Sequence, residues 1–221
     1  MKTLKHLLQY YRIEFFLCTL LLILFGSLIF SNKLFASYLF PCFLLLNISS
    51  GINLITKKKL RYFFISLFII AAGIFGTSLI NMKNDDLNYV RFTLYFLFYV
   101  VVTLEIIKQI WFSKEVNKEI IIGVISGYIS LGLVGFFIFM AIEMTNPGSF
   151  QGELLANNPL EKNTDNLLYY SYITLMTIGY GEIIPTTNIA QKATIFLGLM
   201  GQFYLVIITA VVVGKFINNK P

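Results

Sequence analysis

The sequence predicts an all-α membrane protein with six transmembrane helices and one re-entrant segment, and three observations lead to this fold class. Of the 221 residues, 57% are hydrophobic and only 13% are charged. The apolar residues occur in six long runs rather than in short amphipathic stripes. One glycine-rich stretch, TLMTIGYGE at Thr174 to Glu182, interrupts this pattern, and we expect it to form a loop within the membrane.

Each of the six runs is long enough to cross a hydrocarbon core of about 30 Å as a helix. The runs are Ile13 to Phe30, Leu34 to Ile55, Tyr62 to Ile80, Tyr89 to Ile107, Ile120 to Ile142 and Ala193 to Val213. If the runs alternate in direction, 12 of the 17 lysine and arginine residues fall on the side of the N-terminus. The positive-inside rule then predicts that both chain ends are cytoplasmic. The formal charge of +6 is therefore a topology signal, and no nucleic-acid partner is predicted.

The second run carries a neutral polar stripe formed by Asn47, Ser50 and Asn53. Polar side chains inside a membrane commonly hydrogen-bond to a neighbouring helix, and this is the simplest interpretation of the stripe. A pocket for a ligand or a lipid is the alternative.

An outer loop and a short apolar segment separate the fifth and sixth runs. The loop, Thr145 to Thr164, contains Pro147 and Gly148 and is predicted to be exposed. The short segment, Asn166 to Met176, is too short to span the membrane. We expect it to enter the membrane as a helix and to turn back, which is tolerated where the chain is buried in protein or lines a wet cavity.

The residues from Thr177 to Gly181, hereafter the TIGYG segment, explain why glycine is needed here. If successive carbonyl oxygens all point to one axis, alternate residues take backbone angles of opposite sign, and glycine adopts positive φ without penalty. Gly179 and Gly181 have the required spacing. The carbonyls of Thr177, Ile178, Gly179 and Tyr180, with the Thr177 hydroxyl, would then stack as rings of oxygen that replace the water shell of a cation. One chain contributes one wall, so several chains have to meet.

The TIGYG segment resembles the selectivity filter of potassium channels, and the resemblance extends over about Ile120 to Phe216. It implies a homotetramer in a lipid bilayer, with four such segments around one axis and passive potassium conduction. The implied ligands are potassium ions at Thr177, Ile178, Gly179 and Tyr180, with Gly181 completing the signature and no organic cofactor. In this family an acidic residue at the Tyr180 position accompanies loss of selectivity, so selective conduction is favoured. The implied location is the plasma membrane, which in a bacterium is the inner membrane.

The same resemblance assigns supporting residues behind the filter. Tyr169 and Tyr170 occupy positions where many relatives have tryptophans, and Glu182 occupies a position where aspartate is usual. We therefore expect Tyr169 to lie near Glu182 and Tyr170 to bond or pack near Tyr180. Ile173 stands where some relatives have a glutamate, so no carboxyl pair is expected there.

Gly201 in the sixth run lies 24 residues after Thr177, where the family often has a hinge glycine. Close helix packing is the alternative explanation, because glycine is common at helix contacts in membranes. Further residues follow Gly201 at four-residue spacing, are predicted to share its face, and are candidates for the cavity wall and inner gate. These residues are Leu205, Thr209, Val213 and Ile217.

The six-span layout also resembles voltage-gated potassium channels, but the fourth run lacks gating charge. It has Arg91 near one end, Lys108 near the other and Glu105 between them, with no cation from Phe92 to Ile107. A voltage sensor needs several charges that cross the field. Glu105 lies one turn from Lys108 and is spaced to pair with it. We therefore predict a peripheral domain that does not sense voltage strongly.

The predicted organisation has five parts. They are a cytoplasmic segment (1–12), a four-helix peripheral domain (13–111), a cytoplasmic linker (112–119), a pore domain (120–217) and a cytoplasmic tail (218–221). The predicted function is a potassium-selective channel without strong voltage gating. A voltage-gated channel with a reduced sensor and a non-conducting accessory subunit are the alternatives. The sequence contains no paired carboxylates, activated nucleophile or phosphate-binding loop, so no enzyme is predicted.

Overall fold

A computed structural model describes residues 11–31, 34–79, 85–155 and 160–218. The chain is mostly helical and divides into two compact units, residues 1–127 and residues 128–221. The predicted cytoplasmic segment at 1–12 and the tail at 218–221 lie almost entirely outside the described residues.

The first unit is built from helices alone in its described part. Its helices are α1 (Arg12–Phe25), α2 (Phe40–Ile52), α3 (Lys58–Leu79), α4 (Asp85–Phe112) and the first part of α5 (Lys118–Thr145). A 3₁₀ turn, Gly26–Leu28, follows α1, and a π-helical turn, Phe35–Leu39, leads into α2. Proline is tolerated near the start of α2 because the first turn of a helix has no partner for its N–H groups.

A buried polar cluster around Asn47 joins three helices of the first unit. The Asn47 amide donates to the Phe16 carbonyl at 3.0 Å and to the Thr19 hydroxyl at 2.8 Å. The Tyr99 hydroxyl donates to the Asn47 side-chain oxygen at 2.8 Å. For Asn47, the interhelical interpretation of the polar stripe is therefore confirmed. The side chains of Ser50 and Asn53 instead donate to carbonyls of their own helix.

The second unit contains the rest of α5, then β1 (Phe150–Gln151), α6 (Leu160–Leu175), β2 (Ile184–Pro185), α7 (Asn188–Phe203) and α8 (Thr209–Asn218). The strands pair antiparallel, with Phe150 opposite Pro185 and Gln151 opposite Ile184. A π-helical turn, Tyr204–Ile208, joins α7 to α8. The Thr187 hydroxyl caps the start of α7 by accepting from the Ala190 amide.

Glycines let the helices of the second unit approach closely. A Cβ at Gly132 would collide with the Tyr172 ring of α6, and a Cβ at Gly135 would collide with the Leu197 side chain of α7. The Tyr172 hydroxyl also donates to the Ile129 carbonyl at 2.6 Å. Small residues at such contacts are typical of helices packed in a membrane.

Three helices in the described ranges are long and apolar enough to span a membrane. They are Tyr89–Phe112, Lys118–Thr145 and Asn188–Asn218, the last being α7, the π-helical turn and α8 taken together. They correspond to the fourth, fifth and sixth predicted spans. The spans predicted over α1, α2 and α3 stay predictions. The short segment expected at Asn166 to Met176 belongs to a longer helix, because α6 begins at Leu160 and ends at Leu175.

Candidate functional site

The TIGYG segment follows the end of α6 and has an alternating backbone. The angle φ is 57° at Thr177, 55° at Gly179 and 98° at Gly181. Positive φ at the two glycines agrees with the alternation expected from the sequence. Thr177 was not expected to share it, and among the described residues it is the only non-glycine with positive φ. A β-branched residue held in this region costs on the order of 1–3 kcal/mol.

The amides of the segment point back to the end of α6. The Ile178 and Gly179 amides donate to the Ile173 carbonyl at 2.8 and 3.3 Å, and the Thr177 amide donates to the Thr174 carbonyl at 3.0 Å. Within the ranges that the structure describes, the carbonyl oxygens of residues 177–180 accept no hydrogen bond. The negative end of the α6 dipole also lies at this segment. The local arrangement therefore leaves backbone oxygens free at a place that favours positive charge.

One face of the segment is open in the single chain. The Tyr180 side chain is 69% exposed, and Ile178 is 46% exposed. A Cβ at Gly179 or Gly181 would meet no atom within 4 Å. Among the described residues no group of three or more His, Cys, Asp or Glu side chains could hold a metal ion. The free carbonyl oxygens of the TIGYG segment are therefore the candidate cation ligands of this unit.

Beyond the segment, the Tyr169 phenol lies near the Glu182 carboxylate. Partial desolvation, followed by the neighbouring negative charge of Glu182, raises the pKa of the Tyr169 phenol. Tyr169 thus lies near Glu182, where the sequence led us to expect it. The contribution of this contact to holding the segment stays a prediction.

Gly152 is a residue that the sequence analysis did not single out. Its φ is 154°, and a Cβ there would overlap the carbonyl oxygen of Glu182. The glycine therefore lets strand β1 lie directly against the chain that leaves the TIGYG segment. The pairing of β1 with β2 holds the same two stretches together.

The outer loop is fixed by side chains at its base. The Glu143 carboxylate accepts from the Gly148 amide at 2.8 Å and from the Phe150 amide at 3.1 Å. The Thr186 amide donates to the Ser149 carbonyl at 2.9 Å. The predicted loop at Thr145 to Thr164 is thus anchored near its start, and its last residues belong to α6.

Tyr170 has partners other than the expected Tyr180. Its side chain is buried, with 4% exposure, and its ring lies 5.1 Å from the Phe139 ring and 5.5 Å from the Phe150 ring. Its hydroxyl lies 3.1 Å from the Thr194 hydroxyl of α7, so the two share a hydrogen bond. The Tyr170 hydroxyl is thus bonded to α7, and the expectation that Tyr170 bonds or packs near Tyr180 stays a prediction.

Gly201 is a point of close contact between α7 and the end of α6. A Cβ at this position would collide with the carbonyl oxygen of Leu175. The same oxygen accepts a hydrogen bond from the Tyr128 hydroxyl at 3.3 Å. Of the two explanations for Gly201, close packing is thus supported by a specific contact.

Gln202 is a further residue that sequence reasoning missed. Its side-chain amide donates to the hydroxyl of Thr177, the first residue of the TIGYG segment, at 3.3 Å. The available signal was a polar side chain in an apolar run, since polar groups in membrane spans are functional candidates.

The four-residue face predicted from Gly201 onward does not continue unchanged. Gly201 is buried, whereas the other residues of the predicted face are exposed. The π-helical turn Tyr204–Ile208 has hydrogen bonds over five residues rather than four, so four-residue spacing does not keep one face across it. A cavity or gate role for the exposed residues stays a prediction. They are Leu205, Thr209, Val213 and Ile217.

Comparison with family models gave one match, which lies mostly in this unit. Residues 124–218 match the family described as an ion channel. The match includes the TIGYG segment and the helices on both sides of it, and it supports ion conduction by a membrane-embedded domain. Comparisons with curated proteins and with solved structures gave no match.

Proposed function

We propose that the chain forms a homotetrameric potassium-selective channel in the plasma membrane, with passive conduction and weak dependence on voltage. The observation that carries the proposal is the backbone of the TIGYG segment. Its φ angles alternate in sign, its amides are held by α6, and its carbonyl oxygens are free. Rings of backbone carbonyls that replace a hydration shell are the basis of potassium selectivity in channels.

The tetramer is supported by the open face of the segment. A single chain leaves Ile178 and Tyr180 largely exposed and supplies only one wall of oxygens. A cation without its water needs ligands on all sides, so further copies have to complete the site. Four copies are what the resemblance to potassium channels implies, with potassium ions bound at Thr177, Ile178, Gly179 and Tyr180.

Weak voltage dependence is supported by α4. Arg91 lies over the ring of its neighbour Phe92, 5.6 Å from the ring centre. Glu105 is buried and accepts a hydrogen bond from Thr56 at 2.9 Å. The ion pairs of the described residues do not include the suggested pair between Glu105 and Lys108. Two cations at opposite ends of one helix do not supply the several gating charges that steep voltage dependence requires.

The proposal is tested by reconstituting purified protein in liposomes and measuring cation flux. We expect flux down a potassium gradient and little flux down an equal sodium gradient. Gly179→Ala should remove the selective flux, because an alanine Cβ opposes positive φ. Gly73→Ala is the matched control, since a Cβ at Gly73 meets no atom within 4 Å and φ is not positive there.

The outcomes also separate the alternatives. An assembled protein without flux would identify a non-conducting accessory subunit. Equal potassium and sodium flux would identify a non-selective pore. Steep voltage dependence of a potassium current would favour the voltage-gated alternative. Both termini are cytoplasmic in that alternative and in the proposed topology.

A further inference from the structure

We propose that Gln202 is a positioning residue that orients the Thr177 hydroxyl and so sets the affinity of the innermost cation site. The inference rests on the proposed function, because it concerns the site through which potassium would pass. The ligand class is a monovalent cation without its water shell, or a divalent cation of similar size such as barium.

The chemistry of the hydroxyl explains how an amide can orient it. A threonine hydroxyl has one hydrogen to donate and two lone pairs that accept. The Gln202 Nε2 group donates to Thr177 Oγ1 at 3.3 Å and therefore occupies one lone pair. The hydrogen then points away from that donor, and the second lone pair is left for a cation. Without the amide, the hydroxyl would be free to rotate.

The close contact at Gly201 brings the two groups together. Gly201 lies against the Leu175 carbonyl with no side chain between them. Gln202 is the next residue on α7, and Thr177 is two residues beyond Leu175. A wider spacing of α7 and α6 would take the amide out of reach of the hydroxyl.

Thr177 needs such support more than its neighbours do. It is a β-branched residue at a φ of 57°, a conformation that only a surrounding structure can maintain. At the outer end, Tyr169 and Glu182 provide a polar contact. In the described part of the chain, Gln202 provides the side-chain hydrogen bond at the inner end.

The test compares three forms of position 202 in purified, reconstituted protein. Gln202→Leu removes the donor at similar size, and Gln202→Asn keeps the amide but is one methylene too short. Both substitutions should raise by about fivefold the concentration of internal barium needed for block and the concentration of potassium needed for stabilisation against heat. A fivefold change corresponds to the loss of one ordinary hydrogen bond. A purely polar effect on the cavity would leave Gln202→Asn like the unaltered protein, and that result would overturn the inference.

A double-mutant cycle separates positioning from a general structural role. In a Thr177→Ala background the hydroxyl is absent, so Gln202→Leu should change barium block by less than about twofold. In Thr177→Ser, which keeps the hydroxyl, the roughly fivefold effect should return. An undiminished effect in Thr177→Ala, or none in the unaltered background, would overturn the inference. Should Gln202→Leu fail to assemble, Gln202→Asn carries the same cycle.

The proposed function fails in a different way. In that case the unaltered protein would show no potassium flux and no stabilisation by potassium, before any substitution is made. If the protein shows selective flux but substitutions at position 202 have no effect, only the inference about Gln202 would be overturned.

Discussion

Gly201 of α7 lies against the carbonyl oxygen of Leu175, so α7 meets the end of α6 with no side chain between the two backbones. The contact sets the distance between the helix that carries Gln202 and the turn that carries Thr177. The geometry of the TIGYG segment is therefore coupled to the packing of the helix that follows it.

Replacing Gly201 by alanine should disturb this coupling. The added methyl group would press on the Leu175 carbonyl, and such overpacking costs about 1–3 kcal/mol. We expect a lower melting temperature and reduced selective flux in reconstituted Gly201→Ala protein. Gly198→Ala, also in α7, is the control, because a Cβ there meets no atom within 4 Å. Equal behaviour of the two variants would show that the Leu175 contact is not limiting.

Gly179→Ala should abolish the preference for potassium over sodium. Gly179 has a φ of 55°, and an alanine in that conformation is disfavoured by about 1–2 kcal/mol, which turns the carbonyl out of line. The unaltered protein should also melt at a higher temperature in potassium than in sodium, because a bound ligand stabilises the folded form. The variant should lose this difference. An assembled Gly179→Ala tetramer that still selects potassium would refute the assignment of the TIGYG segment.

Tyr169→Phe should weaken the outer end of the segment without removing selectivity. The substitution deletes the hydroxyl that lies near the Glu182 carboxylate, and with it the polar contact between the two side chains. We expect faster loss of current during sustained potassium conduction, measured in planar bilayers. Tyr62→Phe is the control, since Tyr62 is 71% exposed in α3. Unchanged current stability in Tyr169→Phe would mean that the Glu182 contact does not hold the segment.

The open probability should depend only weakly on voltage. Arg91 and Lys108 stand near opposite ends of α4, where long cationic side chains reach the membrane surface. Recording in symmetric potassium from about −100 to about +100 mV should give a shallow curve, whereas several gating charges per subunit would give a steep one. Arg91→Gln and Lys108→Gln should leave the curve nearly unchanged. A steep curve that flattens in either variant would contradict this prediction.

The sequence contained the chemistry of the site but little of its support. The positive φ angles at Gly179 and Gly181 could be predicted, because glycine is the residue that favours this backbone conformation. Positive φ at Thr177 could not be predicted from the residue type, since threonine usually avoids that region. Gln202 and Gly152 act through contacts with residues distant in sequence, and the local sequence does not identify the contact partners.

The helix faces show a similar division. Interhelical hydrogen bonding by Asn47 could be predicted, because a buried amide needs hydrogen-bond partners. The prediction that residues at four-residue spacing from Gly201 share one helix face assumed an uninterrupted α-helix. The residues of the π-helical turn Tyr204–Ile208 are ordinary helix formers, so the shift in hydrogen bonding that it introduces has no compositional signal.

The free carbonyls of the TIGYG segment bear on how the protein is made. The amides from Thr177 to Gly179 have hydrogen-bond partners within one chain, but among the described residues the carbonyl oxygens of residues 177–180 have none. In lipid, an unsatisfied backbone oxygen costs several kcal/mol, so a newly inserted subunit is disfavoured with the segment in its final shape. Neighbouring copies and a captured cation would remove that penalty together. Ion capture would then act as a late step of biogenesis, and subunits translated in potassium-poor cells would linger as unassembled chains open to quality-control proteolysis.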